Sequence, residues 1–78
     1  MIGEIEKYSC YEFEIFEYPD DDYPDTKYYY YKIYTSDIDY INWMKTNILR
    51  ESEECFDTEQ QARFAAVGHI DLLENGED

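Results

Sequence analysis

Two segments of alternating side chains enclose a short acidic stretch that carries both prolines of the chain, and a β-hairpin is the natural way to fold that arrangement. From Tyr8 to Tyr18, aromatic and aliphatic residues interleave with glutamate. A period of two places Tyr11, Phe13 and Ile15 on one face of a strand and Cys10, Glu12, Glu14 and Phe16 on the other. Lys27 to Thr35, with Tyr28, Tyr29, Tyr30 and Tyr31 in succession, has the high β-propensity of a second strand. Between them, Pro19 to Thr26 contributes Asp20, Asp21, Asp22, Pro24 and Asp25, all poor strand formers and good turn formers, and reads as an exposed loop. Antiparallel pairing then sets Tyr29, Tyr31 and Ile33 beside the apolar face of the first strand. Tyr28, Tyr30, Lys32 and Tyr34 fall with the glutamates, with Lys32 opposite Glu14.

The period changes beyond Thr35. Ser36, with Asp39 three residues on, resembles a helix N-cap, and Ile38, Ile41, Met44 and Ile48 recur at helical spacing. This predicts a short helix from Asp37 to about Thr46 and a strand near Asn47 to Ser52; a strand over Ile41 to Glu51 is the competing assignment. Asp57 and Thr58 precede an alanine-rich segment, with Gln60 and Gln61 three residues beyond each, so either pair could close a capping box on a helix from Glu59 to about Glu74. Ala62, Ala65, Ala66, His69, Ile70 and Leu73 share one stripe, which should lie on the sheet, and Asn75-Gly76 supplies a stop. Phe64 and Val67 are expected on the opposite side, where a homodimer contact would cover them. The fold class is therefore α+β: an antiparallel sheet of two or three strands packed against a C-terminal helix, with a short middle helix, all in one domain over residues 1–78.

A chain of 78 residues has room for one core, since a domain of this size buries only about 60% of its unfolded surface. Met1 to Lys7 already contains Glu4 and Glu6, which fits neither a signal peptide nor a membrane span and points to the cytoplasm. In that reducing compartment Cys10 and Cys55 are expected as buried thiols and not as a bridge. Twenty Asp and Glu against six Lys and Arg give a formal net charge of −14. Acidity alone would suggest disorder, but ten Tyr, four Phe and one Trp are the opposite of a disordered composition. The excess also exceeds the roughly 2 to 8 charges that solubility asks of a small domain, so the charge is read as functional.

Catalysis has few candidates. The lone histidine, His69, falls on the core-facing stripe, where a hydrogen-bonded structural histidine is the simpler reading than a general base. Twenty acids in so short a chain form carboxylate pairs by chance, so no acid, base or nucleophile is assigned and no enzyme activity is expected. The aspartates of the loop lack the glycine and closing glutamate of a calcium loop, Asp25 and Tyr31 standing in those places. Two cysteines and one histidine match no zinc site, and Gly3, Gly68 and Gly76 are too far apart for a phosphate loop. No metal or cofactor follows, and the charge opposes direct nucleic-acid binding.

The same charge suits a surface that binds something basic. Glu12 and Glu14, residues two apart on a strand and so about 6.6 Å apart, form a row extended by Glu17 and by Asp20, Asp21, Asp22 and Asp25, with Glu51, Glu53, Glu54 and Asp57 as a second cluster. Tyr28, Tyr30 and Tyr34 beside the row add rigid amphipathic contacts that also accept arginine cations. Short length, acid excess, Tyr/Glu strands and the strand-turn-helix ending from Glu51 to Ala66 together resemble, in kind, the small acidic phage-type anti-defence proteins, the anti-CRISPR and anti-restriction inhibitors. That resemblance implies a mode of action: occupying the basic groove of a nucleic-acid-handling partner, such as a CRISPR effector or a restriction nuclease, as a nucleic-acid mimic, within a host cytoplasm. A self-associating module whose acidity only keeps it in solution is the alternative.

Overall fold

A computed structural model describes residues 5–76. Four antiparallel strands, β1 (Ile5–Tyr8), β2 (Tyr11–Pro19), β3 (Lys27–Tyr34) and β4 (Ile48–Glu51), form one sheet in sequential order. A short helix, α1 (Ile38–Met44), lies between β3 and β4, and a longer one, α2 (Glu59–Glu74), ends the described chain. This is the α+β architecture that the periodicity implied, with the middle segment resolved as helix followed by strand. The strand missing from the sequence reading is β1: Ile5-Glu6-Lys7-Tyr8 is too short and too charged to show a clear alternation.

The β2–β3 hairpin has the expected register, with Phe13 opposite Ile33, Ile15 opposite Tyr31 and Glu14 opposite Lys32. Phe13, Ile15, Tyr31 and Ile33 are buried on one face against Ala62, Ala66 and Ile70 of α2. The two alanines let the helix approach closely, so large side chains from the sheet and small ones from the helix fill the same layer. Tyr8 donates to Asp71 at 3.0 Å and Arg63 pairs with Glu6 at 2.7 Å, tying α2 to the β1 side.

Local chemistry sets the helix ends. Thr58 is the N-cap of α2, its Oγ1 accepting from the Gln61 N–H at 3.1 Å, while Gln61 Oε1 accepts from the Asp57 N–H at 3.2 Å. The two candidate caps thus share one partner in a widened capping box. Gly76 takes φ +74° and donates to Leu73 O, closing the helix as Asn75-Gly76 suggested. α1 is capped by Asp37, one residue later than Ser36, because the Asp37 carboxylate reaches the N–H groups of both Asp39 and Tyr40.

Two expectations change in three dimensions. Val67 packs against the core edge, whereas Phe64 is 68% exposed. Positions 63, 67 and 71 share the side of α2 that turns toward β1, so the outward face is Phe64, Gly68 and Leu72 instead. Cys10 and Cys55 are free and exposed, not buried, since one sits in the β1–β2 turn and the other beyond β4. None of the helices among the described residues is long and apolar enough to cross a membrane.

Candidate functional site

α2 covers one face of the sheet through β2 and β3, and among the described residues no helix packs comparably on the other. Strand alternation puts Glu12, Glu14, Phe16 and Tyr18 of β2 on this open face beside Tyr34, Lys32, Tyr30 and Tyr28 of β3. The aromatic residues form a continuous ladder: Phe16 stacks on Tyr30 with centroids 5.0 Å apart, and Tyr18 lies 5.7 Å from Tyr30 and 5.8 Å from Tyr28. Phe16 and Tyr18 were absent from the sequence-based choice of contact residues; their position two and four residues beyond Glu14 was the available signal.

Glu17 departs from the predicted row. It pairs with Tyr29 in register and so belongs to the helix-side face, where it meets Lys27 at 3.5 Å. The loop acids divide in role. Asp20 is half-buried and accepts from the N–H groups of Asp22 and Tyr23, which fixes the loop, while Asp21, Asp22 and Asp25 are exposed.

The second acidic cluster is carried to the same end by a feature that no sequence pattern announces. Past β4, Ser52 N–H donates to Tyr31 O at 3.0 Å, and Phe56 exchanges backbone hydrogen bonds with Tyr29 at 2.8 and 2.9 Å. The chain from Ser52 to Phe56 therefore spans the length of Tyr29 to Tyr31, with Glu53 and Glu54 arching outward between the anchors. This continuation brings Cys55 against Tyr18 and Asp57 within electrostatic range of Tyr28, which also senses Asp20. The loop acids and the arch acids thus flank one corner of the sheet, whereas Glu12 and Glu14 lie toward its other end.

Tyrosine hydroxyls do much of the ordering of these carboxylates. Tyr34 donates to Glu14 at 2.9 Å, and burial together with that carboxylate pushes its pKa up to about 12. Tyr28 is raised chiefly by its hydrogen bond to Asp20 and by the charge of that residue. Tyr18 is pushed up to about 12, first by its contact with Cys55 Sγ at 2.5 Å and then by desolvation. A phenol donor orients a carboxylate without cancelling its charge, which a lysine would do. Cations are placed sparingly: Lys32 sits 5.1 Å over the Phe16 ring and 3.8 Å from Glu51, and Arg63 is held by Glu6 and Glu59.

On the helix side, a groove opens between the arch and α2, floored by Tyr31. His69 lines it, its Nδ1 2.8 Å from the Tyr31 hydroxyl, so the histidine is hydrogen-bonded within the fold as its place on the stripe suggested. Among the described residues no cluster of His, Cys, Asp and Glu has the geometry to hold a metal ion. Comparison with protein-family models, with curated proteins and with solved structures finds no match to this chain.

Proposed function

We propose that the protein is a non-enzymatic inhibitor that binds the basic surface of a nucleic-acid-handling protein, of the CRISPR-effector or restriction-nuclease kind, through its open sheet face and the acidic corner beside it. The observation that carries this reading is the ordering of Glu14 by the Tyr34 hydroxyl and of Asp20 by the N–H groups of Asp22 and Tyr23. Carboxylates held in place while still charged are pre-organised for cations, which lowers the cost of ordering them on binding. The Phe16–Tyr30–Tyr18–Tyr28 ladder beside them offers rigid apolar area and faces for arginine. A net charge of −14 would accelerate encounter with a basic groove and repel the nucleic acid that competes for it.

The test is cleavage of DNA by a panel of RNA-guided and restriction nucleases in the presence of the purified protein, preceded by capture from bacterial lysate at low and high salt to choose the panel. One nuclease should be inhibited, with association slowed by at least about tenfold as salt is raised. A variant with Glu12→Gln, Glu14→Gln, Asp21→Asn and Asp22→Asn leaves the loop-fixing Asp20 in place and should lose that inhibition. Full inhibition by this variant would sink the electrostatic reading.

A second reading, self-association, is favoured by the outward face of α2, where Phe64 is 68% and Leu72 45% exposed. It requires a dimeric mass by light scattering for the wild type and a monomeric one for Phe64→Glu. A monomeric wild type removes it.

A further inference from the structure

We infer that the groove between the 52–56 arch and α2 receives an arginine side chain of a basic partner; the inference rests on the reading above for the basic character of that partner and adds the side chain it inserts. The groove exists because of two local choices. α2 is drawn toward β1 by its Tyr8 and Arg63 ties, and on its other side it presents only Ala65 and His69 to the arch. The cavity left is about 560 Å³, within the roughly 300–1,000 Å³ of ligand clefts.

Its walls match a guanidinium group in kind. Tyr31 and Phe56 both line the cavity and stack on each other, with ring centroids 6.2 Å apart and planes inclined by 24°; Tyr31 is buried beneath, so the half-buried Phe56 ring is the aromatic surface against which a planar, weakly hydrated guanidinium would lie. Glu51, Glu53 and Glu54 also line it, and no Lys or Arg does. Glu51 already meets Lys32 at 3.8 Å, which leaves Glu53 and Glu54, both exposed on the outward arch, as the carboxylates that would accept the paired N–H donors. An anion would meet Glu53 and Glu54 there, and an uncharged apolar group would desolvate them for no return. Lysine, a point charge without a planar face, fits less well than arginine.

The test uses N-acetylarginine amide as the probe, titrated into the ¹⁵N-labelled full chain, with N-acetylcitrulline amide as the uncharged isostere. Saturable amide shifts confined to the arch and to the Ala65–His69 turn, with at least about tenfold weaker effects from citrulline, are the expected result. Ala65→Leu, which fills the groove from a helix position that tolerates leucine, should abolish the arginine shifts while the remaining spectrum stays unchanged. Glu53→Gln with Glu54→Gln should weaken them severalfold without altering the groove's shape. Equal responses to arginine and citrulline, or arginine shifts that survive Ala65→Leu, would overturn the inference. Salt-sensitive nuclease inhibition that persisted alongside such a result would leave the open-face reading standing, because this probe titration needs no nuclease.

Discussion

Single side chains in this protein carry tension between local preference and charge. Lys45 closes α1 in the left-handed region at φ +61°, a conformation that costs an L-residue roughly 1 kcal/mol and glycine almost nothing. Lys45→Gly should therefore raise stability by about 0.5–1 kcal/mol in urea unfolding; destabilisation would mean that the lysine side chain has a role in holding α1. Tyr34 makes a second prediction. Its phenol titrates near 12 in the fold instead of at 10, because burial and Glu14 favour the neutral form. The stability it contributes is whole below pH 10 and disappears as pH climbs from 10 to about 12. Alkaline titration followed by tyrosinate absorbance should show a late-ionising group that includes Tyr18 and Tyr34, and Tyr34→Phe should flatten the loss of stability over that window. Most of this was invisible in the sequence: alternation assigns a tyrosine to a face, but only the register decides which carboxylate its hydroxyl meets.

At the level of elements, the helix boundaries were legible and the second acidic cluster was not. α2 begins at Glu59 as the Thr58 cap and Gln61 required, because capping is a contract among residues only three apart. Thr58→Ala should cost about 1 kcal/mol in thermal or urea unfolding, and an unchanged midpoint would show that Asp57 can take over the cap. β1 escaped notice since its identity as a strand comes from its pairing with β2 through Ile5–Glu14 to Tyr8–Tyr11, a partner that its own four residues do not encode. The arch escaped for a related reason. Glu53 and Glu54 look like any acidic turn until the backbone bonds of Ser52 and Phe56 to β3 fix both ends.

For the whole molecule, self-repulsion is the persistent force. With formal charge −14 spread over a body of 42 × 24 × 22 Å, like charges lie within or near the Debye length of about 10 Å at 0.1 M salt. Added sodium chloride should raise the melting temperature measured by circular dichroism, the reverse of what a fold dependent on surface ion pairs would show. A falling melting temperature would mean that pairs such as Arg63–Glu6 outweigh the net repulsion. The core that resists this force is small, so Ile33→Ala, which empties a fully buried position opposite Phe13, should cost about 3 kcal/mol in urea unfolding.

Periodicity, turn residues and caps act over a few positions, and so the sequence by itself determined the hairpin, its faces, its register and the start and stop of the last helix. The acidic balance was equally plain, since charge is additive and needs no fold to be counted. What only the tertiary structure decided is which charges and rings meet: Asp57 and Asp20 gathered about Tyr28, and a groove opened where Ala65 faces the arch. Those juxtapositions depend on where α2 settles across the sheet, and that is set by packing among residues distant in sequence, such as Tyr8 with Asp71 and Tyr31 with His69.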